Sequence, residues 1–328
     1  MPELEVQNLT VHFLTEDGVL QAVRDCSFTL KPGHTLALVG ESGSGKSVTS
    51  RAILGILASN ARIEQGKILY DGQDLLQLEE DTLVALRGRR IAMIFQDPLS
   101  SLDPLMHIGK QITEVIRLKC GASRRAAREK ALQLLQEVGI PDPQRCFQQF
   151  PHQLSGGMRQ RVVIAIALAA DPEILICDEP TTALDVTIQA QILELLERLK
   201  QQRQLSMLFI THDLGVVAQT ADDVAVMYAG KIVEYGTAEE IFYDPRHPYT
   251  WALLRATPDP DGADRLYAIP GTPPDMHHPP QGDAFAARNP QAMEIDYAMQ
   301  PPVFSVSPTH WAATWLLHPL AQRQQTGG

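Results

Sequence analysis

Eight consecutive residues constrain this chain more than any others: Gly40-Glu41-Ser42-Gly43-Ser44-Gly45-Lys46-Ser47. They follow the apolar run Leu36-Ala37-Leu38-Val39, which reads as a buried strand, and precede Val48 to Leu57, which reads as a helix. Strand, glycine-rich loop and helix in that order make a phosphate cradle. The glycines let the backbone wrap an anion, Lys46 supplies positive charge to the β and γ oxygens, and the Ser47 hydroxyl suits Mg²⁺. Val48, the next residue, completes the candidate nucleotide contacts. Such a cradle implies an α/β fold, with the anion at a helix N-terminus.

A second element carries carboxylates. Glu173-Ile174-Leu175-Ile176-Cys177 is a strand-length apolar run ending in Asp178-Glu179. That places two acids at a strand's C-terminal edge, where α/β sheets bind ligands. Asp178 is expected to hold the Mg²⁺ shell and Glu179 to polarise an attacking water. Between the two elements, Leu154-Ser155-Gly156-Gly157-Met158-Arg159-Gln160-Arg161 opens a helix with bare backbone N–H groups and a helix dipole, which is a second anion-binding surface.

The punctuation sets the organisation. Residues 3 to 33 alternate apolar and polar around Glu16-Asp17-Gly18, as in an antiparallel sheet with one solvated face. Strand-like runs at 91–95, 173–177, 206–210 and 224–228 alternate with helical segments, the pattern of a parallel core sheet. Between Gln96 and Ser155 the strands stop, and Ala127, Ala131, Leu134, Leu135 and Val138 recur at helical spacing, so this insertion is helical. Asp185 caps a helix from Val186 to Arg203 whose Ile188, Ile192, Leu195, Leu196 and Leu199 share one face. Beyond Ala256 prolines and glycines multiply and periodicity fades, which marks a separate arm.

A net charge of −11 disfavours nucleic acid as a main partner. The clusters Arg87, Arg89, Arg90 and Arg124, Arg125, Arg128 read as solvated faces. Cys26, Cys120, Cys146 and Cys177 lack metal-type spacing and read as reduced core thiols. Met1-Pro2-Glu3-Leu4-Glu5 has no signal-peptide character, and no apolar run reaches the ~18 residues of a membrane span. A soluble chain that meets a membrane only through partners is expected.

In order and spacing these segments resemble the nucleotide-binding cassette of the ABC ATPases over residues 3 to 255. The resemblance implies an α/β fold of the P-loop NTPase ABC type. It has a mixed core sheet with flanking helices, an antiparallel β subdomain, and a helical subdomain at about 97–160; an irregular arm follows over 256–328. Phe13 stands where the family stacks an aromatic ring on adenine, though a lone aromatic is as often core. Gln96, in Ile94-Phe95-Gln96-Asp97-Pro98, matches the glutamine that contacts Mg²⁺ and the attacking water. Ala183-Leu184-Asp185 matches the loop that runs across the cassette dimer, and His212 matches the switch histidine on the γ-phosphate. Ser155, Gly156 and Gly157 match the signature that closes on the partner's ATP. In the family two cassettes pack head to tail around two ATP molecules, and the helical insertion between Gln96 and the signature grips a short helix of the membrane subunit.

The stretches Met227-Tyr228-Ala229-Gly230-Lys231-Ile232-Val233-Glu234, Tyr243-Asp244-Pro245-Arg246-His247-Pro248-Tyr249-Thr250 and Ile269-Pro270-Gly271-Thr272-Pro273-Pro274 resemble the ATPases of peptide and nickel importers, the oligopeptide and dipeptide permease D/F type. That implies two transmembrane permease subunits and a paralogous ATPase forming a heterodimer, a homodimer being the alternative. A periplasmic or extracellular substrate-binding protein belongs to the same assembly, and no nucleic acid does. The implied location is peripheral, on the cytoplasmic face of a bacterial membrane. Peptides are the expected solute, with nickel or glutathione import by the same machine as the alternative. A soluble, non-transport ABC ATPase normally shows tandem cassettes or a long heptad insertion, and a P-loop kinase lacks the signature.

Many importers of this type carry four arm cysteines that hold an iron–sulfur cluster. Here the surrounding frame is present, but Asp283, Asn289, Asp296 and Thr314 occupy the cysteine positions. These hard oxygen and amide groups suit a cluster poorly, so ATP and Mg²⁺ are expected as cofactors and the cluster is expected to be absent. Hydrogen bonds among the four, or packing by Phe285, Trp311 and Trp315, are expected to hold the arm instead.

Overall fold

The computed structural model describes residues 3–182, 184–257 and 267–321. In chain order the first elements are β1 (Leu4–Thr15), β2 (Gly18–Leu30), β3 (Thr35–Val39), α1 (Lys46–Ile53), β4 (Ala61–Tyr70), β5 (Gln73–Asp74), α2 (Glu80–Leu86) and β6 (Ile91–Ile94). Next come α3 (Ile108–Cys120), α4 (Arg124–Glu137), α5 (Pro143–Gln148), α6 (Gly156–Ala167), β7 (Ile174–Asp178), α7 (Val186–Arg203), β8 (Ser206–Thr211) and α8 (Leu214–Thr220). The last are β9 (Asp223–Tyr228), β10 (Lys231–Thr237), α9 (Ala238–Tyr243), α10 (Pro248–Ala256), α11 (Glu294–Ala298), β11 (Phe304–Ser305) and β12 (Trp311–Ala312). Contacts divide the chain into two compact units, one of residues 31–34 and 77–209, the other of residues 3–30, 35–76 and 210 onward.

The first unit holds the carboxylate strand and the helical insertion. Strands β6 and β7 run parallel, Ile91 beside Ile174 and Ile94 beside Cys177, and every residue of both is buried. That two-sided burial explains their unbroken apolar runs. In the insertion α4 begins at the Ser123 cap and buries Ala127, Ala131, Leu134 and Leu135, the face expected from the spacing. The Arg203 guanidinium pairs with Glu137 at 2.6 Å and with Asp171 at 2.9 Å, tying the end of α7 to the insertion. Buried Gln111 on α3 accepts from the Asp103 amide and donates to the Asp103 and Met106 carbonyls at 3.0 and 2.9 Å, which fixes the loop ahead of α3.

The second unit contains a four-stranded antiparallel sheet in the order β2-β1-β4-β5. Its inward residues on β1 are Leu4 and Val6, then Leu9 and Val11, a break in strict alternation. The break is a bulge at Asn8, whose φ is +50° and whose side chain donates to Asp25 at 2.7 Å. An extra residue there returns the apolar side chains to the same face. In the same unit β9 lies parallel to β3 on one side and antiparallel to β10 on the other.

The arm is less separate than its composition suggests. Strand β12 pairs with β10, Glu234 opposite Ala312, and β11 pairs with β12. The His310 ring bonds buried Glu234 at 2.8 Å, while Glu234 also accepts the His247 amide at 3.0 Å. Of the four polar residues of the arm, two bond each other as expected, the Asp283 amide donating to the Asp296 carbonyl at 2.6 Å. Each of the four accepts an N–H from its own turn: Asp283 from Phe285 at 2.9 Å, Asn289 from Gln291 at 2.9 Å, Asp296 from Met293 at 2.7 Å and Thr314 from Leu316 at 3.3 Å. Short polar side chains bond nearby backbone in this way because their oxygens reach only a few residues. Packing follows the expectation at Phe285, which is buried against Tyr228 and Tyr249 with ring centroids 5.3 Å from each.

Two further expectations change. Helix α1 spans Lys46–Ile53 rather than Val48 to Leu57, because Gly55 and Ile56 turn their amides back to Ala52 and Arg51. Cys120 is exposed at the C-terminal end of α3, whereas Cys26, Cys146 and Cys177 are buried. Burial pushes the Cys26 thiol up to about 12 and the Cys146 thiol up to about 11, and raises Cys177 as well. Since only thiolates react quickly, Cys120 alone should be modified by a thiol reagent at pH 8 in the native protein, and all four cysteines after unfolding. Counting released chromophore under the two conditions checks this.

Candidate nucleotide-binding site

The phosphate loop belongs to the second unit. Strand β3 is buried throughout and pairs Val39 with Val226 of β9, so the loop leaves the sheet beside the end of β9. At Gly40 the two backbones nearly touch: a Cβ there would stand 2.1 Å from the Met227 carbonyl oxygen. Only glycine fits that approach. Lys46 begins α1 with a buried side chain, and its ammonium donates to the Gly40 and Glu41 carbonyls at 2.7 and 2.9 Å and to Ser44 Oγ at 3.4 Å. Gly43, Gly45, Ser42 and Ser47 complete the turn into the helix, and Val48 follows in its first turn. The Thr49 hydroxyl donates to the Gly45 carbonyl at 3.0 Å and closes that turn.

Three residues that sequence reasoning did not select hold this loop from behind. The Glu41 amide donates to the Tyr249 hydroxyl at 2.7 Å. The Glu41 carboxylate receives both arms of the Arg288 guanidinium, at 2.6 and 2.9 Å, and Arg288 also donates to the Tyr228 hydroxyl at 3.1 Å. Paired hydrogen bonds to Glu41 raise the Arg288 pKa, and burial raises those of Tyr249 and Tyr228, so all three keep their protons. Tyr228 and Tyr249 did lie in the stretches that carried the importer resemblance, but nothing in their spacing pointed to the loop.

Phe13 is half-buried on β1, opposite Leu20 and Ala61. His212 is exposed just after β8, and the next residue, Asp213, caps α8 by accepting the Gly215 amide at 2.9 Å.

In the first unit the parallel register of β6 and β7 brings Gln96 and Glu179 together. Gln96 Nε2 donates to Glu179 Oε2 at 2.7 Å, and the Thr182 hydroxyl donates to the same oxygen at 3.1 Å. Asp178 ends β7 fully buried, whereas Glu179 turns out of the strand at φ +47°. A left-handed backbone is uncommon for glutamate and is typical of residues whose direction the surrounding structure dictates. After Gln96, the Asp97 carboxylate accepts the Leu99 amide at 2.9 Å, which lowers its pKa.

The same unit carries the signature. Ser155 caps α6 by accepting the Met158 amide at 3.3 Å, and Gly156 and Gly157 form its first turn. A Cβ on Gly157 would meet Ile188 of α7 at 2.8 Å, so the glycine lets the two helices approach. Asp185 caps α7 by accepting the Ile188 amide at 3.0 Å. Ala183 lies outside the described residues.

A buried strand leading into a phosphate loop, a strand ending in two carboxylates and a capped Ser-Gly-Gly helix define the ATP-binding cassette class. A model of the ABC transporter family matches residues 23–182, and a model of the oligopeptide/dipeptide transporter C-terminal region matches residues 233–295. The chain is 59% identical to the dipeptide transport ATP-binding protein DppD of Lactococcus lactis, over 98% of this chain and 92% of that protein. It is 57% identical to the oligopeptide transport ATP-binding protein OppD of Bacillus subtilis, over 98% of this chain and 90% of that one. Among solved structures, the cassette MJ0796 in a post-hydrolysis dimer bound to ADP and Pi aligns with a TM-score of 0.65 at 27% identity, covering 72% of this chain and 98% of that one. The chain therefore belongs to the ATP-binding proteins of the ABC transporter family, in the oligopeptide and dipeptide branch.

The close approach at Gly40 makes a sharp test. Gly40→Ala should weaken ATP binding at least tenfold, about 1.4 kcal/mol, because the loop must move away from β9 to admit the methyl group. Titration of ATP by calorimetry measures the shift.

Proposed function

We propose that this chain hydrolyses ATP to drive import of di- or oligopeptides through a membrane ABC transporter, and that the residues above divide the work. The observation that carries the reading is the phosphate loop with its buried lysine, joined in one chain to the Gln96–Glu179 pair. Lys46 exchanges its loop carbonyls for phosphate oxygens, and the N–H groups of Gly43, Ser44, Gly45 and Ser47 bind the same anion together with those of Ser42 and Val48. The donor set of Ser47, Gln96 and Asp178 is all oxygen, which fits Mg²⁺; when bound, that ion neutralises charge on the β and γ oxygens. Glu179 accepts the proton of the attacking water, Gln96 orients it, and His212 contacts the γ-phosphate. Phe13 stacks on the base.

The capped helix at Ser155, Gly156 and Gly157 presents its amides to the ATP of a second cassette, and Asp185 sits at the dimer contact. A paralogous ATPase is the proposed second cassette. Two permease subunits complete the membrane assembly, fed by a substrate-binding protein. Leu99 and Leu105, 55% and 87% exposed in the segment that follows Gln96, support a docking surface for a permease helix there. Among the described residues no helix is long and apolar enough to cross a membrane, in keeping with peripheral attachment to such subunits. The cassette is assigned to residues 1–255, with its helical part at about 97–160, and the arm to 256–328.

Glu179→Gln should retain ATP binding while lowering hydrolysis at least ~100-fold in the assembled transporter, since it removes the proton acceptor and keeps the shape. Steady-state phosphate release decides, and turnover equal to the unaltered complex would remove Glu179 from the role of base. The arm is proposed to bind no iron–sulfur cluster. Anaerobically purified protein should be colourless, with iron and acid-labile sulfide far below stoichiometric, and replacing Asp283, Asn289, Asp296 and Thr314 together by cysteine should yield a brown, iron-binding arm.

A further inference from the structure

We propose that Arg288 is a positioning residue for the phosphate loop, through which the C-terminal arm sets the affinity for ATP. The inference rests on the ATPase reading above and adds a residue of the arm to it.

Arg288 sits in a short turn of the arm, and its side chain is 4% exposed. Every side of its guanidinium is engaged. Nε donates to the Pro270 carbonyl at 2.9 Å, Nη1 and Nη2 fork onto the Glu41 carboxylate, and the group lies 5.8 Å from the ring centres of both Tyr228 and Phe285. A fork–fork pair of this kind fixes direction as well as distance, and a lysine cannot reproduce it. What it fixes is Glu41, the second residue of the phosphate loop. The same residue is anchored at its amide by Tyr249, and its carbonyl accepts from the Lys46 ammonium. A path of direct bonds thus runs from the arm through Glu41 to the lysine that binds phosphate.

Electrostatics give this path a sign. A carboxylate inside a loop built to bind a polyphosphate repels its ligand unless a cation neutralises it and holds it aside. Arg288 does both. Without it, the Glu41 charge is released next to the phosphates and Lys46 gains a competing anion. A residue that merely stapled the arm would affect stability alone. A residue that neutralises Glu41 produces a defect that removing the Glu41 charge cures.

The experiment is a double-mutant cycle on the full chain, with Mg-ATP affinity read by calorimetry and integrity by thermal melting. Arg288→Met should weaken ATP binding about tenfold. Adding Glu41→Gln to it should restore affinity to within about threefold of Glu41→Gln alone. Arg288→Lys, which keeps the charge and loses the fork, should fall between Arg288→Met and the unaltered chain, and it carries the test if Arg288→Met does not fold. Unchanged affinity in Arg288→Met, or in Arg288→Lys where that variant stands in, overturns the proposal, as does a defect that Glu41→Gln leaves uncured. Lys46→Ala is the control for the site itself: if it binds ATP normally, the nucleotide reading fails, independently of the outcome at Arg288.

Discussion

The contact between the Gly40 backbone and the Met227 carbonyl is the constraint on which the second unit depends. It places the phosphate loop hard against the end of β9, so whatever follows β9 lies directly beneath the loop. The next residues use that position fully. Tyr228 reaches the arm through Arg288, Ala229 offers its carbonyl to Arg24 at 3.0 Å, and the Gly230 amide donates to the Ser44 carbonyl at 3.0 Å. Arg24 in turn donates its amide to the Gly230 carbonyl at 2.8 Å, which adds β2 to the same knot. The β9–β10 turn is therefore part of the loop's support rather than a simple reversal. This explains physically why the stretch from Met227 to Glu234 carries a family signal although no residue in it bears chemistry.

Much of this was legible in the sequence because the governing interactions are local. The phosphate loop announces its strand and helix, two-sided burial writes β6, β7 and β8 as unbroken apolar runs, and Ser123, Ser155 and Asp185 each precede the helix they cap. The pairing of Gln96 with Glu179 was less accessible. Each residue could be picked by its motif, but their bond follows from the register of two parallel strands that lie about eighty residues apart in the chain. The bulge at Asn8 was hidden because one extra residue on a strand leaves no periodic trace beyond a single missed beat. The two-residue strands β11 and β12 were hidden because their pairing with β10 is decided by tertiary contact, not by propensity. Arg288 was hidden most deeply, since a lone arginine in a proline-rich arm looks like any solvated charge until its partner, 247 positions earlier, is known.

Glu179 shows how the two strand ends in the first unit cooperate. A left-handed glutamate carries a backbone cost of order 1–3 kcal/mol, which persists only where neighbouring bonds over-determine it. The amide of Gln96 and the hydroxyl of Thr182 supply those bonds, and both converge on one carboxylate oxygen. A hydrogen bond to a charged group contributes about 1.5–3 kcal/mol, enough to offset the strain. The carboxylate is thereby aimed by its neighbours, and its direction is tied to the position of Gln96, the residue that leads into the helical insertion.

The arm illustrates how short polar side chains can shape their own turns. Thiolates that hold an iron–sulfur cluster accept hydrogen bonds at their sulfurs, and those bonds help set its potential. In this chain the four corresponding residues accept amides through oxygen instead, three of them from the residue two positions on and the fourth, Asp296, from three positions back. Aspartate, asparagine and threonine are the side chains whose length suits this geometry, so each turn is closed by its own residue, and the Asp283 amide ties its turn to the Asp296 carbonyl at 2.6 Å. Among the described residues Asp283 Oδ2, Asn289 Nδ2 and Asp296 Oδ1 are buried polar atoms with no hydrogen-bond partner, and such atoms lower stability. The offset comes from the apolar side, where Phe285 buries its ring against Tyr228 and Tyr249, and from Arg288 three residues later. The segment around Phe285 and Arg288 is thus anchored on the same tyrosines and the same glutamate that hold the phosphate loop.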